Sequence, residues 1–353
     1  MALMNSPPLL DNATIDADGF CALRIKDVVA ETVDAVSLVF DVPAEHGQRF
    51  NYLAGQFLTL RVDIDGREYR RCYSMSSSPA VGEDLRITVK RDRDGVVSNW
   101  LNDHAAVGAP IDVGVPQGRF VMTDTDRDLV AFAGGSGITP VLSLIRTALA
   151  VTSRRARLFY ANRDTGSVIF LDVLAALTDD HDGRFALRHH LDEQSGVVST
   201  QVISEFVSTS GVEAEYYVCG PAPFMDNVET VLRDTGVPAE RIHVERFSVA
   251  PADTPGPTDQ VQVTEEVTIE LKRQKVTVPH RAGNTILQTA RLAGLKAPSS
   301  CEVGSCGTCM ARVVEGSARM LNNDALDADE VADGWVVTCQ ALPTSPTIKV
   351  VYE

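Results

Sequence analysis

The stretch Cys301-Glu302-Val303-Gly304-Ser305-Cys306-Gly307-Thr308-Cys309 limits what this chain can become more than any other part of it. Three cysteines spaced C-x4-C-x2-C, answered downstream by Cys339, follow the ligand spacing of a plant-type [2Fe–2S] cluster. Soft thiolate donors suit iron–sulfur chemistry. Gly304 and Gly307 supply backbone that can turn with positive φ and aim N–H groups at sulfur. Four cysteines can also hold zinc, but structural zinc sites usually pair two short C-x2–4-C knuckles. Here Cys339 stands alone in Val337-Thr338-Cys339-Gln340, so the cluster is the better reading, with Cys301, Cys306, Cys309 and Cys339 as its ligands.

A cluster of this kind occupies only the end of a 353-residue chain, a length that implies two or three domains. With 44% hydrophobic and 23% charged residues the chain can bury several cores. A formal charge of −16 argues against a nucleic-acid partner, because phosphate recognition needs a basic surface. Of the seven cysteines, Cys21, Cys72 and Cys219 are scattered and form no disulfide framework, which points to a reducing, cytoplasmic setting. No Lys or Arg precedes Arg24, no apolar leader follows the start, and no run is long enough to span a membrane.

The chain divides by pattern. Residues 1–19, with Pro7-Pro8 and several Asn and Asp, read as a loose tail. Residues 20–125 carry short β-rich runs such as Leu23–Val28, Val36–Phe40, Phe57–Val62 and Leu85–Val89, punctuated by glycines, as in a small antiparallel barrel. From 126 to 249 apolar strands (Leu129–Ala133, Arg157–Ala161, Tyr216–Cys219) alternate with helical stretches, which predicts an α/β domain on a parallel sheet. Residues 250–262 hold Pro251, Pro255, Gly256 and Pro257 and read as a linker. Residues 263–353 open with a hairpin and a helix and contain the cysteines, an α+β domain.

Three further stretches carry chemistry. Gly134-Gly135-Ser136-Gly137-Ile138-Thr139-Pro140 lies at a strand-to-helix turn, where a helix N-terminus offers open N–H groups to a phosphate. Pro140 suits the first helical turn and also breaks the G-x-G-x-x-G pattern, so on its own the turn serves a tight βα connection equally well. Arg71-Cys72-Tyr73-Ser74 combines a phosphate fork, an aromatic face and a hydroxyl, although four alternating residues also make an ordinary strand. Gly95-Val96-Val97-Ser98 opens a helix and is a second candidate phosphate cradle.

In this order the motifs R-x-Y-S, G-x-x-S, G-G-S-G-I-T-P and C-G-P, followed by a C-terminal ferredoxin-like segment, resemble the ferredoxin–NAD(P)H reductase superfamily. Within it the chain is similar to the reductase components of multicomponent oxygenases, in particular those of 3-ketosteroid 9α-hydroxylases and phenylacetyl-CoA epoxidases. The resemblance covers nearly everything after the first twenty or so residues. It implies an antiparallel β-barrel for FAD, a parallel-sheet domain for NAD(P)H and a β-grasp [2Fe–2S] domain.

It also implies roles, residue by residue. Arg71 would contact the flavin phosphates, Tyr73 would cover the flavin ring and Ser74 would hydrogen-bond beside its reactive nitrogen. Thr88, Val89 and Lys90 would line the ribityl and adenine side, and Gly95, Val96, Val97 and Ser98 would hold the pyrophosphate. Gly135, Ser136, Gly137 and Thr139 would bind the pyridine nucleotide. Cys219, Gly220 and Pro221 would lie near the nicotinamide with Phe224 and Met225 beside them, and Tyr73, Ser74 and Cys219 would be the residues nearest the chemistry. Asn162 and Arg163 fall where the ribose is read, and Glu245 and Phe247 over the flavin, although an amphipathic last strand accounts for that pair too. Arg163 and Asp164 are neighbours, which leaves NADH against NADPH open from the residues; the resemblance favours NADH.

The implied activity is an NADH-dependent oxidoreductase, since a flavin can take a hydride and release electrons singly to a cluster. The sequence shows neither Rieske knuckles nor a two-His-one-carboxylate site. The expected acceptor is therefore a separate terminal oxygenase, a Rieske-type steroid or aromatic-ring hydroxylase. Another client, such as an epoxidase or a hybrid-cluster protein, and a non-catalytic ferredoxin-type carrier are the alternatives. Cys21 and Cys72 read as small packed side chains and His189-His190 as ordinary polar residues. The run Asp324, Asp327, Asp329, Glu330 and Asp333 reads as a solvated face, with docking of an acceptor as the sharper alternative.

Overall fold

A computed structural model describes residues 15–16, 19–247, 264–302, 304–323 and 325–353. The proposed linker at 250–262 lies outside the described residues, as does most of the 1–19 tail. Where the tail is described it is tied down. Ile15 bridges to Cys21, the Asp16 carboxylate accepts the Phe20 N–H, and Arg61 pairs with Asp16.

The first sheet has six antiparallel strands in the order Arg67–Ser74, Phe57–Ile64, Pro110–Gly114, Phe20–Thr32, Ala35–Asp41, Arg86–Lys90. It curls until its two edges meet: Met75 bridges to Ile87 and the Ser76 N–H donates to the Arg86 carbonyl. Closure removes the open edges that a flat sheet would expose. Alternate residues Leu23, Ile25, Leu38, Phe40, Leu58 and Leu60 point inward and fill the barrel.

The second sheet is parallel, in the order Ile242–Glu245, Glu215–Cys219, Leu129–Gly134, Ala156–Asn162, Phe185–Leu191. Every residue of Leu129–Gly134 is buried, because helices cover both faces and no side can be polar. The helix Ile138–Val151 covers one face, while Thr200–Ser208 and Ala222–Asp234 cover the other. The strand Leu129–Gly134 lies between Glu215–Cys219 and Ala156–Asn162, so the chain changes direction of winding at the first strand. A crevice at the carboxyl ends of such strands is where open α/β sheets bind ligands.

The third sheet is mixed, in the order Gln274–Pro279, Glu266–Leu271, Thr347–Tyr352, Met310–Glu315, Trp335–Val337. The helix Ile286–Leu292 packs on it and is started by a capping box between Thr285 and Gln288. This hairpin, helix and parallel return strand form the expected α+β unit.

The three parts are held together by specific contacts. Ser143 Oγ donates to the Ser77 carbonyl at 2.6 Å, and the Ser78 and Thr147 hydroxyls meet at 2.7 Å. Arg146 pairs with Glu83 at 2.5 Å. Gln117, leaving the barrel, bonds to Ser300 and Thr308 on either side of the cysteine loop.

Candidate functional site

A cavity of about 630 Å³ opens where the barrel, the parallel sheet and the cysteine loop meet. That is the size of a bound cofactor or substrate pocket. Its floor is the strand Arg67–Ser74. Arg67, Tyr69, Arg71 and Tyr73 share one face by the strand's period of two, and Cys72 and Ser74 reach the cavity near the strand end. Burial pushes the Tyr73 phenol well up, so it stays neutral. Ser74 Oγ is buried with no hydrogen-bond partner among the described residues. A buried hydroxyl left so costs free energy unless a ligand satisfies it.

The opposite wall comes from Thr88 and Lys90. Val89, expected with them, instead points into the barrel core, because alternation along a strand sends every second side chain the other way. Next along the chain, the helix Val96–His104 begins at Gly95 with no side chain capping it. Gly95, Val96, Val97 and Ser98, at the start of that helix, line the cavity. A Cβ on Gly95 would lie 2.3 Å from Ser98 Oγ, so a larger residue would fill the cradle. The orphaned hydroxyl, the aromatic face, the guanidinium and the open helix end fit a flavin with its pyrophosphate.

Ser136 and Thr139 reach the same cavity from the parallel sheet, Glu245 closes it from the end of the strand Ile242–Glu245 and Phe247 from just beyond. Gly134–Gly137 and Cys219–Pro221 pack backbone against backbone at the strand ends. A Cβ on Gly134 would meet Pro221 at 2.7 Å, and one on Gly220 would meet the Gly134 nitrogen at 2.9 Å. Gly135 takes a left-handed φ of 53°, and the helix Ile138–Val151 starts after Gly137 with no side-chain cap. This fits a second phosphate group at the sheet's switch point.

Two of the expected residues lie outside the cavity lining. Met225 is fully buried, its sulfur accepting the Gly220 N–H at 3.1 Å, so it braces the C-G-P turn instead of facing a ligand. Cys219 is likewise fully buried and does not line the cavity; burial and the nearby Glu245 charge push its thiol up. Phe224 packs against Gly134 and Gly220. Asn162 and Arg163 stand away from the cavity, at the end of the neighbouring strand. The strand period could have added Arg67 and Tyr69 to the expected residues. Phe57, Arg246 and Ser305, which also line the cavity, carry no local signal because they arrive from other elements.

Ser305 belongs to the cysteine loop. Gly304 and Gly307 adopt φ of 92° and 72° there, as the loop requires. A Cβ on Gly304 would press on the Asn322 carbonyl at 2.8 Å. Arg291 holds Glu302, and the Gln340 side chain donates to the Glu302 carbonyl at 2.8 Å, closing the loop over Cys339. Among the described residues no group of three or more Cys, His, Asp or Glu is placed to hold a single metal ion. The four thiols are near neighbours, with Cys301 beside Cys306 and the Cys339 N–H aimed at the Cys309 sulfur at 3.5 Å. Four neighbouring thiols in this spacing fit a binuclear cluster with two thiolates per iron. The neighbouring sulfurs, with burial, push the Cys306 and Cys339 thiols up. Cys301 and Cys306 pack against Phe57 and Cys72, directly behind the cavity floor.

Part of the acidic run has a local use. Asp327 and Glu330 form a capping box for the helix Ala328–Ala332, and Glu330 lies 3.5 Å from Arg119 of the barrel segment. Asp324 lies outside the described residues.

Comparison with known proteins agrees with this geometry. An oxidoreductase FAD-binding domain matches residues 21–122, an oxidoreductase NAD-binding domain residues 132–230 and a 2Fe-2S iron-sulfur cluster binding domain residues 269–344. The chain is 37% identical over 338 residues to the ferredoxin reductase component of 3-ketosteroid-9-alpha-monooxygenase from Rhodococcus rhodochrous, covering 93% of this chain and 95% of that protein. It is 30% identical over 352 residues to the glycine betaine monooxygenase reductase of Pseudomonas aeruginosa, covering 94% and 95%. Among solved structures, phthalate dioxygenase reductase superposes with a TM-score of 0.64 at 27% identity, covering 95% of this chain and 98% of that one.

Proposed function

From the fact that this chain belongs to the oxygenase reductase components that join FAD-binding, NAD-binding and 2Fe-2S domains, we propose that it carries electrons from NADH to a separate Rieske-type oxygenase acting on a steroid or aromatic ring. Bound FAD would supply the conversion of a two-electron hydride into single electrons that an iron–sulfur centre can take. The protein's part is position. Arg71 and the Gly95–Ser98 helix end would hold the flavin's phosphates, Tyr73 would cover its ring and Ser74 would donate to it. Gly135, Ser136, Gly137 and Thr139 would bring the nicotinamide nucleotide to the same cavity, while the Cys219-Gly220-Pro221 turn, packed against Gly134 and Gly137, fixes the shape of that approach. Cys301, Cys306, Cys309 and Cys339 would hold the cluster.

The observation that carries this reading is the place of Ser305. One residue of the cysteine loop lines the cavity that also holds Tyr73, Ser74 and Ser136. A nucleotide site, a flavin site and a cluster loop that share a wall make a relay, and a free-standing electron carrier needs no such cavity. The seven cysteines, all among the described residues, are joined by no disulfide, which supports a cytoplasmic setting. No helix among the described residues is long and apolar enough to cross a membrane. The test is turnover of the purified, cluster-loaded protein with NADH and candidate terminal oxygenases. Hydroxylated steroid formed with a 3-ketosteroid oxygenase supports the client. NADH-dependent reduction of a dye without reduction of any Rieske partner would refute it.

A further inference from the structure

We propose that Thr88, Ser37 and Glu31 form a relay that carries one proton per turnover out of the cavity, with Glu31 as its last acceptor. The inference rests on the reading above, in which the cavity receives a hydride from NADH and the cysteine loop takes the electrons.

A hydride is one proton and two electrons, so NADH becomes NAD+ by giving up all three. The electrons depart singly through the cysteine loop, and one proton per NADH is left in the cavity and has to reach solvent. Thr88 lines the cavity and is buried. It stands directly opposite Ser37 on the adjacent strand. Alternation with Leu38, Ile87 and Val89, which fill the barrel, puts both hydroxyls on the barrel's outer face, where they meet at 2.7 Å. Ser76 Oγ joins Thr88 at 2.8 Å, and Ser37 Oγ donates to Glu31 Oε1 at 2.5 Å.

Glu31 comes to this line through a bulge. Ala30 pairs with Val36 and Thr32 with Ala35, so Glu31 is the extra residue of its strand, and a bulge re-aims a side chain. Two strand hydroxyls alone would be an ordinary cross-strand pair. Here they continue to a half-buried carboxylate, and that end sets the direction of every bond. An ionised carboxylate only accepts, so the single Ser37 hydrogen goes to Glu31, Thr88 donates to Ser37 and Ser76 donates to Thr88. All the hydrogens therefore point from the cavity towards the carboxylate. A proton taken up on the second lone pair of Thr88 Oγ1 sends the Thr88 hydrogen to Ser37 and the Ser37 hydrogen to Glu31, which passes it to water. Rotation of the hydroxyls restores the chain. Burial raises the Glu31 pKa against the Ser37 bond and the Arg86 charge, which lower it, so Glu31 holds a proton more readily than an open carboxylate.

The test uses the full chain loaded with FAD and cluster, as wild type, Glu31→Gln, Ser37→Ala and Ser37→Thr. Bleaching of the flavin by NADH should not change, because no proton leaves in that step. Electron delivery to cytochrome c at neutral pH should fall about tenfold in Glu31→Gln and Ser37→Ala, less than a base acting in the transition state itself contributes. Ser37→Thr keeps the hydroxyl and should keep the rate, and imidazole, a small mobile base, should restore part of the loss. The wild-type rate should drop in acid as Glu31 protonates and can no longer accept, a limb that Glu31→Gln should lack. Infrared titration of the oxidised protein reads the same group without turnover. Glu31 should be ionised at neutral pH, with its pKa moved further up in Ser37→Ala, which has lost the stabilising bond. Glu31 protonated at neutral pH, delivery unaltered in Glu31→Gln, or a loss that imidazole and pH leave untouched overturns the inference while leaving the electron route intact. A wild type whose flavin NADH does not bleach overturns the electron route itself.

Discussion

Gly137 and Cys219 meet backbone to backbone: a Cβ on residue 137 would stand 2.1 Å from the Cys219 carbonyl oxygen. The contact joins the carboxyl ends of two adjacent strands, where the nucleotide crevice opens. Its neighbours are backbone atoms, which cannot swing aside as a flexible side chain would.

Gly137→Ala must therefore push the two turns apart. Overpacking of this kind costs about 1–3 kcal/mol, and here it also deforms the phosphate-binding turn. Thermal unfolding should begin lower. The KM for NADH should rise about tenfold or more, since the displaced N–H groups lose alignment. Flavin absorbance and the cluster's paramagnetic signal should remain, because neither the barrel nor the cysteine loop depends on this contact. A variant with unaltered KM would show that the turn does not hold the nucleotide.

Ser74→Ala separates stability from cofactor binding. The Ser74 hydroxyl is buried without a partner, so removing it relieves a desolvation cost in the flavin-free protein. The apo variant should be no less stable than wild type, as read by chemical denaturation. With flavin bound the order reverses: the variant lacks a donor worth about 1 kcal/mol and should retain FAD several-fold less well and reduce it more slowly. Loss of apo stability with FAD affinity intact would mean the hydroxyl serves the barrel and not a ligand.

What could be read from the residues follows from how each piece of information is encoded. Three of the four cysteines that would hold the cluster lie almost together along the chain, and loop geometry fixes their spacing, so the motif at Cys301, Cys306 and Cys309 was legible at once. The parallel sheet was legible because strands such as Leu129–Gly134 are apolar throughout. Which way Val89 points was not legible, because a motif marks a segment, whereas period-two alternation decides which side chains face the cavity. Burial of Met225 was not legible for the equivalent reason on a helix, where its face turns to the core. The ion pair of Asp34 was not legible. Its partner Arg163 is far off in sequence, and only the docking of hairpin on sheet brings them within 3.1 Å.

Glu215 should make the parallel-sheet domain sensitive to acid. Its carboxylate is buried at the start of a central strand and takes hydrogen bonds from Arg127 and His243, each at 2.9 Å. Burial works to raise its pKa, but the bonds from His243 and Arg127 together outweigh burial and hold it below the ordinary carboxylate range. A depressed folded-state pKa contributes stability that is complete above the unfolded value, near 4.3 for Glu, and is lost as pH falls through the folded value. Glu215→Gln should therefore be less stable than wild type at pH 7 by about 1–3 kcal/mol, and the gap should close in acid below about pH 4. Urea unfolding at several pH values checks this; a gap that does not vary with pH would exclude the carboxylate's charge as its source.

Cys339→Ser divides the relay at its last step. Cys339 pairs with Cys309 in a small core with Leu287, Leu326 and Val337, and the backbone N–H of Cys339 points at the Cys309 sulfur at 3.5 Å. Replacing one soft thiolate by a hydroxyl removes half the ligand set of one iron, so the variant should purify with little iron and no paramagnetic signal on reduction. Of the cavity lining only Ser305 comes from the cysteine loop; the walls at Tyr73, Ser74 and Ser136 belong to the other two domains and should keep their shape. NADH oxidation coupled to ferricyanide should then persist within about twofold, while electron delivery to an oxygenase or to cytochrome c should fall at least a hundredfold, a difference of more than about 2.7 kcal/mol in barrier. If delivery to the oxygenase survives loss of the cluster, electrons leave from the flavin directly and the shared wall at Ser305 has no part in the route.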